Sequence, residues 1–336
     1  MTLPNNPILA NMRPSALLLT CLLLTSVARA QFDREAMERA RVRTNGIKEC
    51  IQYTHKHIQN APSPEGYKTS HTTYNREGDP IEIVNYRANG EISSRHTYAY
   101  NEQGLKIEYR KEEKAGGKDM RVFFKQNFTY DSKGNKKTES GFDGSANYRV
   151  VYNYLPNGNL ADVTRYNSDN SVAERWIYTY DGNKQIIRVT LKNAKPYTVE
   201  KVYDAQGHLL NDCQFDSEGN EARRIAYTYT KDGRIATETE SYAGEKRHVL
   251  TYVFDAKNQL VQVLRKMPDG KEVVNNDYKY DNEGNLVTEK WLDGTSLNLV
   301  SKKDSEFDGQ GNMVKVDSYY APYKYRVTYT YEYKKF

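Results

Sequence analysis

The chain has 336 residues, with 49 Lys and Arg set against 44 Asp and Glu for a net charge of +5, and a mean hydropathy of −0.88. That length would suit about two compact domains, yet only 38% of it is hydrophobic while Tyr alone supplies 29 residues, so aliphatic material for two ordinary cores is lacking. Aromatics at 12% also exclude a disordered chain, and with Arg13 and Arg29 set aside in the leader described next, the rest carries +3, a balance that makes no case for nucleic acid as partner.

Residues 1–30 read as a secretory signal peptide. Met12 and Arg13 form a short basic start, Ala16 to Val27 an apolar stretch, and Ala28-Arg29-Ala30 a small-residue cleavage site before Gln31. The stretch is short for a membrane span. A lipoprotein reading through Cys21 is the alternative, weakened by the large Thr20 before it. Export by the Sec pathway to the periplasm, cell surface or exterior is therefore expected, and no later window is apolar enough for a transmembrane helix. Residues 31–46 form a separate segment, where Asp33 could cap a short helix with Ala36, Met37 and Ala40 on one face, covering the first strand edge. Cys50 and Cys213 are 163 positions apart, and two separately buried thiols are favoured over a bridge.

From residue 47 to 336 one unit recurs: aromatic-x-aromatic-Asp-x-x-Gly, as in Tyr278-Lys279-Tyr280-Asp281-Asn282-Glu283-Gly284. Its second aromatic falls at Tyr74, Tyr100, Tyr130, Tyr154, Tyr180, Tyr203, Tyr229, Phe254, Tyr280, Phe307 and Tyr331, at steps of 23 to 30 residues. Alternation places both rings on one face of a strand, and Asp-x-x-Gly suits a type I turn ending on a left-handed Gly. In that hairpin the last aromatic should pair with the residue six positions on: Leu160, Ile186, Leu209, Ile235, Leu260, Leu286 and Met313. A second turn signal lies midway, at Asn89-Gly90, Gly116-Gly117, Asp143-Gly144, Gly244-Glu245, Asp269-Gly270 and Asp293-Gly294. Each unit thus gives two strands and two reversals. The fold class expected is all-β, with about 11 tandem antiparallel hairpin units and about 22 strands. Strands about 4.8 Å apart would make a flat sheet roughly 105 Å wide, so one long coiled or spiral β-sheet is expected.

These residues resemble the YD repeat of the Rhs-type family of exported bacterial proteins, through Tyr130 to Asn135, Tyr280 to Asn285 and Phe307 to Asn312. The resemblance covers 47–336 and implies long sheets that spiral into shells or solenoid-like barrels. The sequence departs from the motif at Asn101, Leu155, Thr230 and Glu332 in place of Asp, and at Lys184 and Asn258 in place of Gly. Large members carry a C-terminal toxin domain, whereas this sequence ends in a strand at Phe336, so toxin delivery is not carried over.

Chemical candidates are few. His55, His57 and His71 could approach on one hairpin and offer three imidazoles to Zn²⁺ or Cu²⁺, but three half-exposed strand residues are the favoured reading. No metal and no cofactor is proposed. The turn Asp residues are explained by turn chemistry before Ca²⁺. With no nucleophile or phosphate-loop motif and acids spread through every repeat, no enzyme is expected. Trp176 and Trp291 are the candidate ligand-binding residues, as flat faces for sugar rings or partner side chains. An outer-membrane barrel would need an outward apolar band on each strand, which the Lys, Glu and Arg positions oppose. The functional expectation is a non-enzymatic exported scaffold of the bacterial envelope that binds glycan or a surface protein. A structural envelope protein without ligand and a glycan-active hydrolase are the alternatives.

Overall fold

The computed structural model describes residues 26–58, 61–114, 119–293, 296 and 298–336. Most of the expected signal peptide, the Gly116-Gly117 turn and Gly294 lie outside these residues. Helix α1 (Ser26–Thr44) leads through Gly46 into β1 (Ile47–Ile58), which pairs at its tip with the two-residue β2 (Ala61–Pro62). Ten Asp-x-x-Gly-type hairpins follow. They are β3 (Tyr67–Tyr74) with β4 (Pro80–Tyr86), β5 (Ile92–Tyr100) with β6 (Lys106–Glu113), β7 (Arg121–Tyr130) with β8 (Lys136–Phe142), β9 (Asn147–Tyr154) with β10 (Leu160–Asn167), and β11 (Val172–Asp181) with β12 (Lys184–Leu191). Next come β13 (Ala194–Tyr203) with β14 (Leu209–Phe215), β15 (Glu221–Tyr229) with β16 (Ile235–Tyr242), β17 (Glu245–Phe254) with β18 (Leu260–Lys266), β19 (Glu272–Tyr280) with β20 (Leu286–Leu292), and β21 (Leu299–Phe307) with β22 (Met313–Tyr320). The last strand, β23 (Tyr325–Lys335), returns to β1.

That return corrects the expected spiral. β23 pairs antiparallel with β1 from Ile47↔Lys335 to Lys56↔Val327, so the 22 long strands form a closed barrel. β23 takes the place of the first strand of a hairpin and β1 that of the second, so the eleventh unit is assembled from the two ends of the chain. The closure also removes the edge that α1 was expected to cover. The helix begins at Ser26, upstream of Asp33, which is therefore an interior helical residue and not its N-cap.

The loops obey one rule. In the hairpin at Asp131, Oδ1 accepts the Lys133 and Asn135 backbone N–H groups at 2.9 and 2.8 Å, Oδ2 accepts Asn135 Nδ2 at 2.9 Å, and Gly134 sits at φ +82°. These bonds hold the Asp131 carboxyl below the usual carboxylate range, with the Asn135 amide the largest cause. Asn258, standing where Gly was expected, takes the same left-handed conformation at φ +66°. The expected register holds at Tyr154↔Leu160, Tyr203↔Leu209, Tyr229↔Ile235, Phe254↔Leu260, Tyr280↔Leu286 and Phe307↔Met313. It fails at Ile186. There Lys184 replaces Gly, the loop shortens to Gly182-Asn183, and Tyr180 pairs with Gln185 instead.

Tyrosine hydroxyls complete the wall. Within a unit the two strands are joined at the loop, but the second strand and the first strand of the next unit lose their ladder two residues short of that end. For example, the β10–β11 ladder begins at Asp162↔Ile177, leaving Leu160 without a ladder partner on β11. The Tyr180 hydroxyl donates to the Leu160 carbonyl at 3.1 Å. The same bond runs from Tyr100 to Pro80, Tyr130 to Lys106, Tyr154 to Lys136, Tyr229 to Leu209, Tyr280 to Leu260 and Tyr333 to Met313. By this criterion the last aromatic of the final strand is Tyr333, two residues beyond the Tyr331 expected from spacing.

One sheet face is inward. Along β11 Glu174, Trp176 and Tyr178 are buried while Arg175, Ile177 and Thr179 are exposed, as concave crowding requires. The inward face carries the repeat tyrosines. Twenty-two strands spaced ~4.8 Å apart make a perimeter of roughly 105 Å before strand tilt is counted, and each long strand is paired with its two ladder neighbours. A cluster of buried hydrophobic side chains runs across β9 to β12, where Trp176 lies among Tyr148, Val150, Val163, Tyr178, Ile187 and Val189.

Candidate functional site

The two mouths of the barrel differ. At the Asp-x-x-Gly mouth, α1 lies against loops on both sides of β1. Arg39 pairs with Asp79 at 2.7 Å, the Arg41 guanidinium donates to the Gly311 carbonyl at 3.0 Å, and Asn45 Nδ2 donates to Asn312 Oδ1 at 2.7 Å. Near this mouth the inward-facing Cys50, Tyr74 and Tyr331 have raised pKa values, to which the Glu38 charge is a lesser contributor. Burial is the main cause in each case and carries the Cys50 thiol to about 11.

The opposite mouth collects exposed aromatics. Phe123, Tyr242, Trp291, Tyr320 and Tyr323 all lie at strand ends or turns there, with Trp291 at 48% and Tyr323 at 69% exposure. Three residues form a row across adjacent strands. Trp291 on β20 stands opposite Ser301 on β21, which stands opposite Tyr320 on β22. All three point inward, because Trp291 is in phase with Glu289, the cross-strand partner of Tyr278. Two strand spacings place the aromatic backbones about 9.6 Å apart, and the small Ser301 leaves a slot between the rings. Tyr325 extends the row, stacked on Tyr320 with ring centroids 6.2 Å apart. Asn276 flanks Trp291 on its other side. One step deeper lie Glu289, Lys303 and the buried Ser318, with Lys303 Nζ 3.9 Å from Glu289 Oε2. Aromatic walls over a polar floor suit a ring that offers C–H groups on its faces and hydroxyls on its edge.

The two sequence candidates are not brought together. Trp176 is 1% exposed on β11, wedged between Val163 and Val189, with no ring face open to a ligand. Trp291, with Asn276 and Ser301 as neighbours, keeps a face open. The difference is one of row neighbours, which tryptophan itself does not reveal. Tyr320, Tyr325, Ser301 and Lys303 were missed; the signal available was their register opposite Trp291.

The three histidines separate on the outer face. His55 bonds the Ser63 carbonyl at 2.8 Å and Thr330 at 2.9 Å, His57 bonds Thr328 at 2.9 Å, and His71 meets Glu49 at 3.0 Å. Among the described residues no group of three or more His, Cys, Asp or Glu is placed to hold a metal ion. Cys50 and Cys213 are both free, on strands that do not pair.

Buried inward acids are a further finding. Glu139 accepts from Gln126 at 2.8 Å and Tyr148 at 2.9 Å. Burial raises the Glu174 carboxyl above the ordinary range, offset in part by Arg165, and its Oε2 is buried without a hydrogen-bond partner. Glu139, Val150, Arg165 and Glu174 form one row over four strands, so the two acids are about 14 Å apart in backbone.

The fold and site define a closed β-hairpin barrel with a helix at one mouth and an aromatic, polar-floored rim at the other. No family model matches the chain. It is 28% identical over 150 residues to the tRNA nuclease WapA of Bacillus subtilis (strain 168), a match covering 43% of this chain and 6% of that protein. The chain therefore spans a small fraction of the curated relatives it matches. Among solved structures, a Photorhabdus luminescens Tc holotoxin pore with a TccC3 mutation aligns with 80% of this chain and 19% of its own, at 13% identity and TM-score 0.25. A porin-like protein from Bacteroides uniformis aligns with 86% of this chain and 98% of its own, at 9% identity and TM-score 0.33.

Proposed function

We propose that this is a YD-repeat protein exported to the bacterial envelope, a non-enzymatic scaffold that binds an extended glycan at its open mouth. The observation that carries the reading is the inward row Trp291–Ser301–Tyr320, exposed where the repeat tyrosines elsewhere are used by the wall. The exterior supports a barrel that stands in water. Its outward positions form charged ladders, including Arg110–Glu112 at 2.6 Å, Lys125–Glu108 at 3.2 Å, Lys184–Glu200 at 3.3 Å and Arg326–Asp317 at 3.0 Å. Hydrocarbon would not accept such a surface. No helix among the described residues is long and apolar enough to cross a membrane.

The test is binding of the secreted protein to a glycan panel, with Trp291→Ala alongside. Removing the Trp face is expected to weaken binding by about 1–3 kcal/mol, as loss of a stacking platform does, and to leave the urea midpoint unchanged. Binding to no glycan, or an unaltered affinity in Trp291→Ala, would overturn the reading. The WapA match favours tRNA cleavage as a second reading, and a parallel incubation with tRNA that yields fragments would establish it in place of the first.

A further inference from the structure

The polar floor of the aromatic row is not electrically neutral. On the inward positions of β18 to β23, β1 and β3, the charged side chains towards this mouth are Arg265, Glu289, Lys303 and Lys56, while Lys335, inward at the far end of β23, bonds Gln310 at the other mouth. The register fixes this set: Arg265 is in phase with Val263, Lys303 with Ser301, and Lys56 lies opposite Val327. The neighbouring outward charges are neutralised by one another, as in Lys290–Asp277 at 3.7 Å, Lys302–Asp304 at 2.6 Å and Lys315–Glu306 at 2.7 Å. Inward, three cations face one carboxylate. Glu289 approaches Lys303 at 3.9 Å, at the limit of an ion pair, and the Lys303 side chain remains 47% exposed. Arg265 stands between Leu250 and Val273, with no acid opposite it on either strand. Lys56 places Nζ 5.6 Å over the Tyr67 ring, beside the mouth.

We infer that the ligand of this mouth is an acidic glycan, one whose sugar rings carry carboxylates. The inference rests on the glycan reading above and adds the charge. Trp291 and Tyr320 take the ring faces, Ser301 and Asn276 the hydroxyls, and Lys303, with Arg265 and Lys56 to either side, the carboxylates of successive residues. The aromatic row beside Lys303 lowers the local dielectric and strengthens a cation's pull on an anion compared with a bare surface. Arg265 suits a carboxylate geometrically because its planar fork can meet both oxygens.

Hexagalacturonate and its fully methyl-esterified form are the probes, since they share a backbone and differ only in charge. With the full secreted protein, hexagalacturonate is expected to bind at least ~10-fold tighter than the ester, and to weaken as salt is raised. Lys303→Gln and Arg265→Gln should each reduce that preference roughly 3- to 10-fold, with affinity for the acid falling more than affinity for the ester and the urea midpoint unchanged. Equal affinity for acid and ester, with both lost in Trp291→Ala, would overturn the acidic-sugar inference and leave the glycan reading standing. Binding of neither probe by a protein that binds other, neutral glycans would do the same. Binding of no glycan at all would overturn both.

Discussion

At the residue scale, the tyrosine content has a mechanical explanation. A ring alone would be supplied as well by Phe, but the hydroxyl reaches a carbonyl that the ladder leaves behind, in seven places around the wall. Two units carry Phe254 and Phe307 at this position. By the same geometry their preceding units present the Ile235 and Leu286 carbonyls two residues beyond the last ladder pairs, Thr237↔Thr251 and Thr288↔Asp304. Phe254→Tyr is therefore expected to stabilise the barrel by about 0.5–1 kcal/mol, the net value of one hydrogen bond. Tyr229→Phe, which removes a 2.6 Å bond to the Leu209 carbonyl, should cost a similar amount. Urea unfolding of both variants checks the pair, and a Phe254→Tyr protein with an unchanged or lower midpoint would show that the hydroxyl has no vacant acceptor there. The alternation Tyr-x-Tyr and the Asp-x-x-Gly loops were legible from sequence because both are local. The staple was not, because its acceptor lies about 20 residues back, on a strand whose register is fixed only when the sheet forms.

At the scale of elements, two departures from the motif had opposite outcomes. Asn258 for Gly changed nothing, since Asn tolerates the left-handed conformation. Lys184 for Gly shortened a loop and moved a register by one, which is why Ile186 missed its expected partner. The helix shows a different limit. Its existence was legible from Ala36, Met37 and Ala40, but its role was not, since Met37 is 71% exposed and the contacts that seat it are polar. Those contacts make Gly78 a test of docking. Gly78 has φ +85°, and an added Cβ would lie 2.4 Å from the Arg39 carbonyl oxygen. Gly90, at φ +82°, has open space in the same position. Gly90→Ala should cost about 1 kcal/mol through the backbone alone. Gly78→Ala should add to that the displacement of α1, seen as faster proteolysis between Arg39 and Gly46. Equal protection of the two variants would mean that the helix is not seated on the 75–79 loop.

At the scale of the whole molecule, repetition made the strand count readable and hid the closure. Every unit advertises the same pairing, so the sequence distinguishes a spiral from a ring only through what the first and last strands do to each other. β1 carries no aromatic-Asp-x-x-Gly signature because its loop partner is supplied by the chain end. The Asp-x-x-Gly series counted forward from Tyr74 could not show that β23 would find it. The seam supplies a direct test, since Cys50 stands opposite Tyr333, within the separation that a disulfide can span between facing strands. Tyr333→Cys should form that bond on mild oxidation, while Cys213, 2% exposed on β14, stays reduced. The cross-link joins the two ends of the array and would stabilise by up to roughly 5 kcal/mol from loop closure, less about 1 kcal/mol for the lost Tyr333 hydroxyl bond to Met313. An open spiral would keep these ends many strands apart and yield two free thiols under the same conditions.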